Sequence, residues 1–174
     1  MTEYPRYAAV CDKILQQGDF IFNLEVPTVR NTAETPPPIL IETLNTIVIT
    51  QSCDIPKEAF ENVVLLPVWD IPTLRKLSTV YKNLFSDTGL EQIRLGRVVA
   101  FHMLDKCDIA GFVHDFMIVQ FEGIIVRPKE AILEFISNDQ PRLRLLPPYR
   151  EELAQRFGMF FSRVACPKEI PKFR

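Results

Sequence analysis

Between Thr50 and Lys57 the chain reads Thr-Gln-Ser-Cys-Asp-Ile-Pro-Lys, which gathers two hydroxyls, a thiol, a carboxylate and an ammonium in one short segment. The other chemically capable residues, His102, His114, Asp115 and Arg127, are far away along the chain. A nucleophilic Cys53 needs a histidine to take its proton and a carboxylate such as Asp115 to orient that histidine. The residue types for a thiol hydrolase are therefore present, with Cys53, Asp54, His102 and Asp115 as the catalytic candidates. Cysteine is also among the most buried residue types, and a packed thiol is the simpler reading of Cys53. Cys53, Asp54, His102, His114 and Asp115 are all zinc donors by type, yet their separations match no ligand pattern, so neither a metal nor a cofactor is expected. Asp54 has a plainer role, accepting backbone N–H groups in a turn or capping a helix from Pro56.

Thr50, Ser52 and Arg127 are the candidate ligand-binding residues, because each stands at or beside a strand end, where a rigid scaffold presents side chains. The planar cation of Arg127 suits a carboxylate or phosphate, and pairing with Asp54 or Asp115 is the simpler alternative. Arg142, Arg144, Arg156 and Arg163 complete the set of polar candidates. Glycine-rich phosphate loops, H-E-x-x-H and G-x-S-x-G are absent from the sequence.

The elements that must position these groups are read from periodicity. Apolar residues at helical spacing predict a helix over Tyr4 to Gln17, stopped by Gly18. Asp19 to Val26 reads as a strand and Pro27 to Pro38 as an extended loop. The β-rich runs Ile39 to Thr50 and Asn62 to Trp69 predict core strands, followed by an inserted helix over Ile71 to Phe85. Ile93 to Leu104 and Phe112 to Val126 read as a hairpin joined by a turn at Asp105 to Gly111. Pro128 to Ile136 predicts a brief helix. Pro147 opens a longer one to Val164, with Tyr149, Leu153, Phe157, Phe160, Phe161 and Val164 on its apolar stripe. The expected architecture is α+β: a small barrel or strongly bent antiparallel sheet with amino-terminal, inserted and carboxy-terminal helices.

At 174 residues and 47% hydrophobic content the chain suits one domain, residues 1 to 174, with the sheet core over about 18 to 135 and the helix over about 147 to 164 packed on it. The net charge of -2 argues against tight binding to duplex nucleic acid or an anionic membrane. Charge is uneven: eight Lys or Arg stand against three Glu from Pro141 to Arg174, leaving the rest of the chain at -7. Cysteines at 11, 53, 107 and 166 show no C-x-x-C spacing, and no apolar leader precedes them, which predicts reduced thiols in the cytoplasm.

The order Gly-Asp-Phe-Ile at 18 to 21, the proline-rich loop, Ile-Val-Ile-Thr-Gln at 47 to 51, Val-Val-Leu-Leu-Pro-Val at 63 to 68 and Ile-Val-Gln-Phe-Glu-Gly-Ile-Ile-Val at 118 to 126 resembles the strand plan of the PemK and MazF growth-inhibitor family. The resemblance spans about residues 18 to 135 and rests on element order. It implies an SH3-like barrel, often a homodimer, and in true members a sequence-specific endoribonuclease. Thr50 takes the family's strand-end Ser or Thr position, while Pro36, Pro37 and Pro38 stand where the family tends to have Arg-Pro. The phrase Thr-Gln-Ser-Cys-Asp-Ile is also similar to one in bacterial proteins, which implies no activity.

With a well-marked core and no complete site, the sequence favours a cytosolic binding or regulatory module with a protein or small-molecule partner. The alternatives are an RNA-cleaving relative of the growth inhibitors and a Cys-dependent hydrolase.

Overall fold

The structure is a computed structural model that describes residues 4–29, 35–77, 83–136 and 140–162. Its elements run β1 (Tyr7–Val10), β2 (Phe20–Val29), β3 (Ile39–Val48), β4 (Asn62–Asp70), α1 (Ile71–Leu77), α2 (Asp87–Arg94), β5 (Phe101–Leu104), β6 (Met117–Gln120), β7 (Ile125–Pro128), α3 (Lys129–Ile136), β8 (Arg142–Leu145) and α4 (Tyr149–Phe161). The fold is α+β, and every strand pairing among the described residues is antiparallel. Six strands follow the path β2-β3-β4-β6-β5, with β7 also on β4, while β1 and β8 form a second sheet. No pairing joins β2 to β5 among the described residues, so the sheet is not closed into a barrel.

It is nevertheless bent. Arg127 on β7 donates to the Glu25 carbonyl on β2 at 2.9 Å. Those strands are three steps apart through β4 and β3, about 14 Å in a flat sheet and beyond the reach of one side chain.

Strands β6 and β7 are one strand interrupted by its partner's chemistry. Ile49 N–H donates to the Val64 carbonyl, so the even-numbered residues of β4 face β3 and the odd-numbered ones face β6 and β7. Pro67 is odd-numbered and offers no N–H to that edge. The ladder breaks there: β4 advances from Leu65 to Val68 while its partner retreats from Ile125 to Val119, three residues against six. Gly123 lies against the proline, where a Cβ would stand 2.7 Å from the Pro67 ring.

Period-two alternation buries both faces of the sheet. Ile47, Leu66, Val68 and Val119 join one cluster with Leu143, Leu145 and Leu153. Val48, Val63 and Leu65 join another with Ile132 and Ile136 of α3. A third holds Leu74, Phe85, Ile93, Phe101 and Ile118 beneath α1 and α2.

Several expectations need correcting. The helix over Tyr4 to Gln17 is instead β1, because Tyr7 to Val10 finds a hydrogen-bonding partner in β8, register Tyr7↔Leu145 to Val10↔Arg142. β2 continues through Pro27 to Val29 rather than ending at Val26, paired with Ile39 to Ile41; as an edge strand it tolerates the proline. Ile93 belongs to α2, which is capped by Ser86 Oγ accepting from Gly89 N–H at 3.3 Å and stopped by Gly96 at φ +70°. The second hairpin strand starts at Met117 instead of Phe112. Residues 52–56 make turns, so no helix starts at Pro56. Tyr81 of the inserted helix, Arg163, Val164 and Cys166 lie outside the described residues.

β8 carries the tie between the two sheets. Arg-Leu-Arg-Leu alternates so that Leu143 and Leu145 enter the main core while Arg142 and Arg144, each 6% exposed, face Asp19, which is 0% exposed. Arg144 Nε and Nη2 donate to the two Asp19 oxygens, Nη2 at 3.0 Å. Arg142 Nη2 reaches Asp19 at 3.4 Å, and Gln16 N–H donates to the same carboxylate at 3.0 Å. Asp12 supplies the second negative charge at 3.1 Å from both arginines. Burial works to raise the Asp12 carboxyl, but the Arg144 hydrogen bond, the Ile14 N–H and both guanidiniums outweigh it and hold it below the ordinary range.

Removing one partner of a buried pair leaves an uncompensated charge, so Asp19→Asn should lower unfolding stability by about 3 to 5 kcal/mol. Asp12, with 38% of its side chain exposed, should cost much less as Asp12→Asn; equal losses in urea denaturation would contradict this ranking. In α4, Leu153 is 0% exposed whereas Phe157 is only partly buried against Phe121, ring centroids 5.7 Å apart. Leu153→Ala should therefore destabilise by about 2 to 5 kcal/mol. Its melting temperature should fall further than that of Phe157→Ala.

Candidate functional site

The reactive segment after β3 is spent on holding the chain. Thr50 Oγ1 accepts from Val64 N–H at 2.7 Å, replacing the next rung of the ladder. Ile49 carbonyl instead accepts from Gln17 Nε2 at 3.0 Å, and Ser52 Oγ accepts from Gln17 N–H at 3.1 Å. Gln17 thus clips this turn to the segment before β2. Asp54 pairs with Lys57 at 2.6 Å. The exposed Cys53 thiol lies 3.7 Å from Gln51 and 3.9 Å from Asp54, in a recess it shares with Gln17, Arg150 and Gln155.

The other sequence candidates fall elsewhere. Arg127 is engaged on Glu25, with its Nε buried and unpaired. Asp115 is paired with Lys106 at 2.8 Å, and that hydrogen bond is the main reason its carboxyl titrates below the ordinary range. His114 packs edge-on against Tyr7 and places Nδ1 2.7 Å from the Asp115 carbonyl, so Nδ1 is the protonated nitrogen. His102 lies in a separate cleft from Cys53. Neither histidine is beside the thiol.

The cleft that holds His102 has the stronger chemistry. It lies between β5 and α4, encloses about 370 Å³, and is lined by Arg6, Arg94, His102, Tyr149, Glu152 and Arg156 among others. α4 delivers Tyr149, Glu152 and Arg156 at helical spacing on one face. Arg6, from the segment before β1, lies 4.4 Å above the Tyr149 ring and pairs with Asp105 at 2.7 Å. Arg94 ends α2 and forks onto Glu91 at 2.6 and 2.7 Å. Arg156 uses Nε on Glu152 at 3.0 Å, and its guanidinium lies against the Gly96 backbone, where a Cβ would meet Nη1 at 2.0 Å. Each guanidinium carries five N–H donors, and these contacts use at most two of them.

His102 sits between these charges. Burial is the main cause that lowers its pKa to about 4; Glu152 pulls it up and Arg156 pushes it down further. The imidazole is therefore neutral at pH 7, offering one donor and one acceptor. Tyr7, in the same wall, donates its hydroxyl to the Asp105 carbonyl at 2.7 Å, and burial followed by the Asp105 charge pushes that hydroxyl above its usual range.

Sequence reasoning missed Arg6, Arg94 and Glu152, and named Arg156 only as one of several polar candidates. Their only local signal is the Glu152 and Arg156 spacing, which reads equally as a surface ion pair. No protein-family model, curated protein or solved structure matches the chain.

The depressed pKa sets an acid limb. Above pH 6.5, the ordinary histidine value, folded and unfolded states both carry neutral His102. Between 6.5 and about 4 only the unfolded state takes the proton, so stability falls as pH drops. The full loss is roughly 3 kcal/mol, complete near the folded value. His102→Gln should flatten the urea-unfolding profile across that window; an unchanged slope would count against the neutral, half-buried imidazole.

Proposed function

We propose that this chain is a cytosolic binding protein whose cleft between β5 and α4 holds a small organic anion. One observation carries the reading: guanidiniums from three separate parts of the chain, Arg6, Arg94 and Arg156, converge with a neutral imidazole on a volume of about 370 Å³. That volume falls within the usual range for small-molecule sites. Each cation has a carboxylate partner: Asp105 for Arg6, Glu152 for Arg156 and Glu91 for Arg94. What is left for a carboxylate or phosphate is the unused N–H donors of the three guanidiniums, and the Arg6–Tyr149 stack gives a flat surface for its organic part. Free thiols at Cys11, Cys53 and Cys107 are compatible with a reducing compartment. No helix among the described residues is long and apolar enough to cross a membrane.

The bent antiparallel sheet supports reading the core as a partly open small barrel of the growth-inhibitor kind. The same cleft also supplies what an RNA-cleaving relative would need, cations for the phosphate and a histidine for the proton. Proton transfer works best with a pKa near the operating pH, and His102 at about 4 is poorly poised as a base. Binding is thus the better-supported use of the cleft.

Calorimetric titration with inorganic phosphate, citrate and adenosine monophosphate should show saturable binding to at least one of them. Arg156→Gln should weaken it by about tenfold, the order expected for losing a charge-assisted pair. Binding that is indifferent to Arg156→Gln in folded protein would place the anion elsewhere. Cleavage of a single-stranded RNA abolished by His102→Ala would favour the enzyme.

A further inference from the structure

The turn that ends α2 needs glycine twice, once for its backbone and once for its space. Arg97 N–H donates to the Gln92 carbonyl and Gly96 N–H to the Ile93 carbonyl, both at 2.9 Å, the pair of bonds that closes a helix through one left-handed residue. Gly96 is that residue, at φ +70°. For the backbone alone asparagine would serve nearly as well, since it enters the left-handed region more readily than other side chains do.

The space would not admit it. A Cβ at residue 96 would stand 2.0 Å from Arg156 Nη1 and 2.8 Å from both Cζ and Nη2, so a guanidinium from α4 occupies the place of a side chain on the α2 turn. Glu152 holds the same group from within α4, accepting from Nε at 3.0 Å. Among the described residues that is the only hydrogen bond the guanidinium makes, so Nη1 and Nη2 are not committed to a partner within the protein. Arg156 lines the anion cleft with 33% of its side chain exposed. The turn it rests on begins two residues after Arg94, so the contact also joins the two helices that bring cations to the cleft.

We propose that Gly96 is a positioning residue for the anion cleft: its bare Cα is the surface on which the Arg156 guanidinium is seated, and any side chain there displaces that guanidinium from its place beside α2. The inference rests on the anion-binding reading of the cleft and names a residue that would touch no ligand itself.

The experiment repeats the calorimetric titrations with inorganic phosphate, citrate and adenosine monophosphate on the full chain carrying Gly96→Ala, Arg156→Gln or both. Gly96→Ala should weaken binding by about tenfold, as Arg156→Gln does, and the double variant should bind no more weakly than Arg156→Gln alone, because no guanidinium is then left to displace. Gly111→Ala is the control for backbone strain, since Gly111 has φ +87° and nothing within 4 Å of a Cβ; it should leave binding unchanged. Gly96→Asn keeps the left-handed turn more easily while restoring the obstruction, and serves if Gly96→Ala fails to fold. A readout that needs no ligand is the Arg156 Nε–H signal in the NMR spectrum, identified by its loss in Arg156→Gln. It should move in Gly96→Ala and Gly96→Asn and stay in Gly111→Ala. Native affinity in both Gly96 variants, additive losses in the double variant, an equal loss in Gly111→Ala or an unmoved Arg156 signal would each overturn the positioning role and leave the anion site standing. No saturable binding by the unaltered chain would overturn the anion site and the positioning role together.

Discussion

Asp19 is the group on which the rest of the molecule depends. It is fully buried between the two guanidiniums of β8, and its backbone continues the sheet: Val48 N–H donates to the Asp19 carbonyl at 2.9 Å, and Asp19 bridges Arg144. Gly18, at φ +88°, lets this junction form, since a Cβ there would lie 2.7 Å from the Leu145 carbonyl. Two desolvated arginines are expensive unless every partner is in place. The same carboxylate that satisfies them therefore fixes where β1 and β8 sit against the larger sheet. With β8 placed, Leu143 and Leu145 complete the main core, and α4 follows four residues later with Leu153 beneath it.

That arrangement puts two cavities of unlike character around the same strand. Leu145 of β8 lines the arginine cleft, whereas Arg142 at the other end lines a second one of about 470 Å³, beside the start of β2 and the 110–112 loop. In the first, three paired guanidiniums keep N–H donors to spare; in the second, the wall is built largely of phenylalanine rings. Ligand class follows from that difference more than from volume, since both cavities are of ordinary ligand size.

The edge carrying β6 and β7 shows how a local residue shapes the sheet at a distance. Pro67 withholds one N–H, the partner strand leaves the ladder between Val119 and Ile125, and Phe121, inside that excursion, turns into the main core against Phe157 and Phe160. A break in hydrogen bonding thus becomes a packing site for α4. No sequence pattern in α4 alone reveals which of its aromatic residues that site buries.

Elements whose signal is local are legible in the chain alone. β3, β4, α3 and most of α4 follow from β-branched runs, helical periodicity and prolines at their starts, and the α+β class follows with them. The sequence reading leaves β8 unassigned and takes Ile93, the end of α2, for the start of a strand, although Arg-Leu-Arg-Leu alternates with a period of two and Ser86 and Gly96 bracket the helix. Tertiary structure decided the rest. The spacing of Tyr7 and Val10 fits a helix as well as a strand, and only the free edge of β8 selects the strand. The functional candidates after β3 had the right residue types, but their hydroxyls were taken up by Val64 and Gln17 from other elements. Arg6, Arg94, His102 and Arg156 form a cleft because four parts of the chain converge in space, and an electrostatic site depends on those distances, which separation along the chain does not specify.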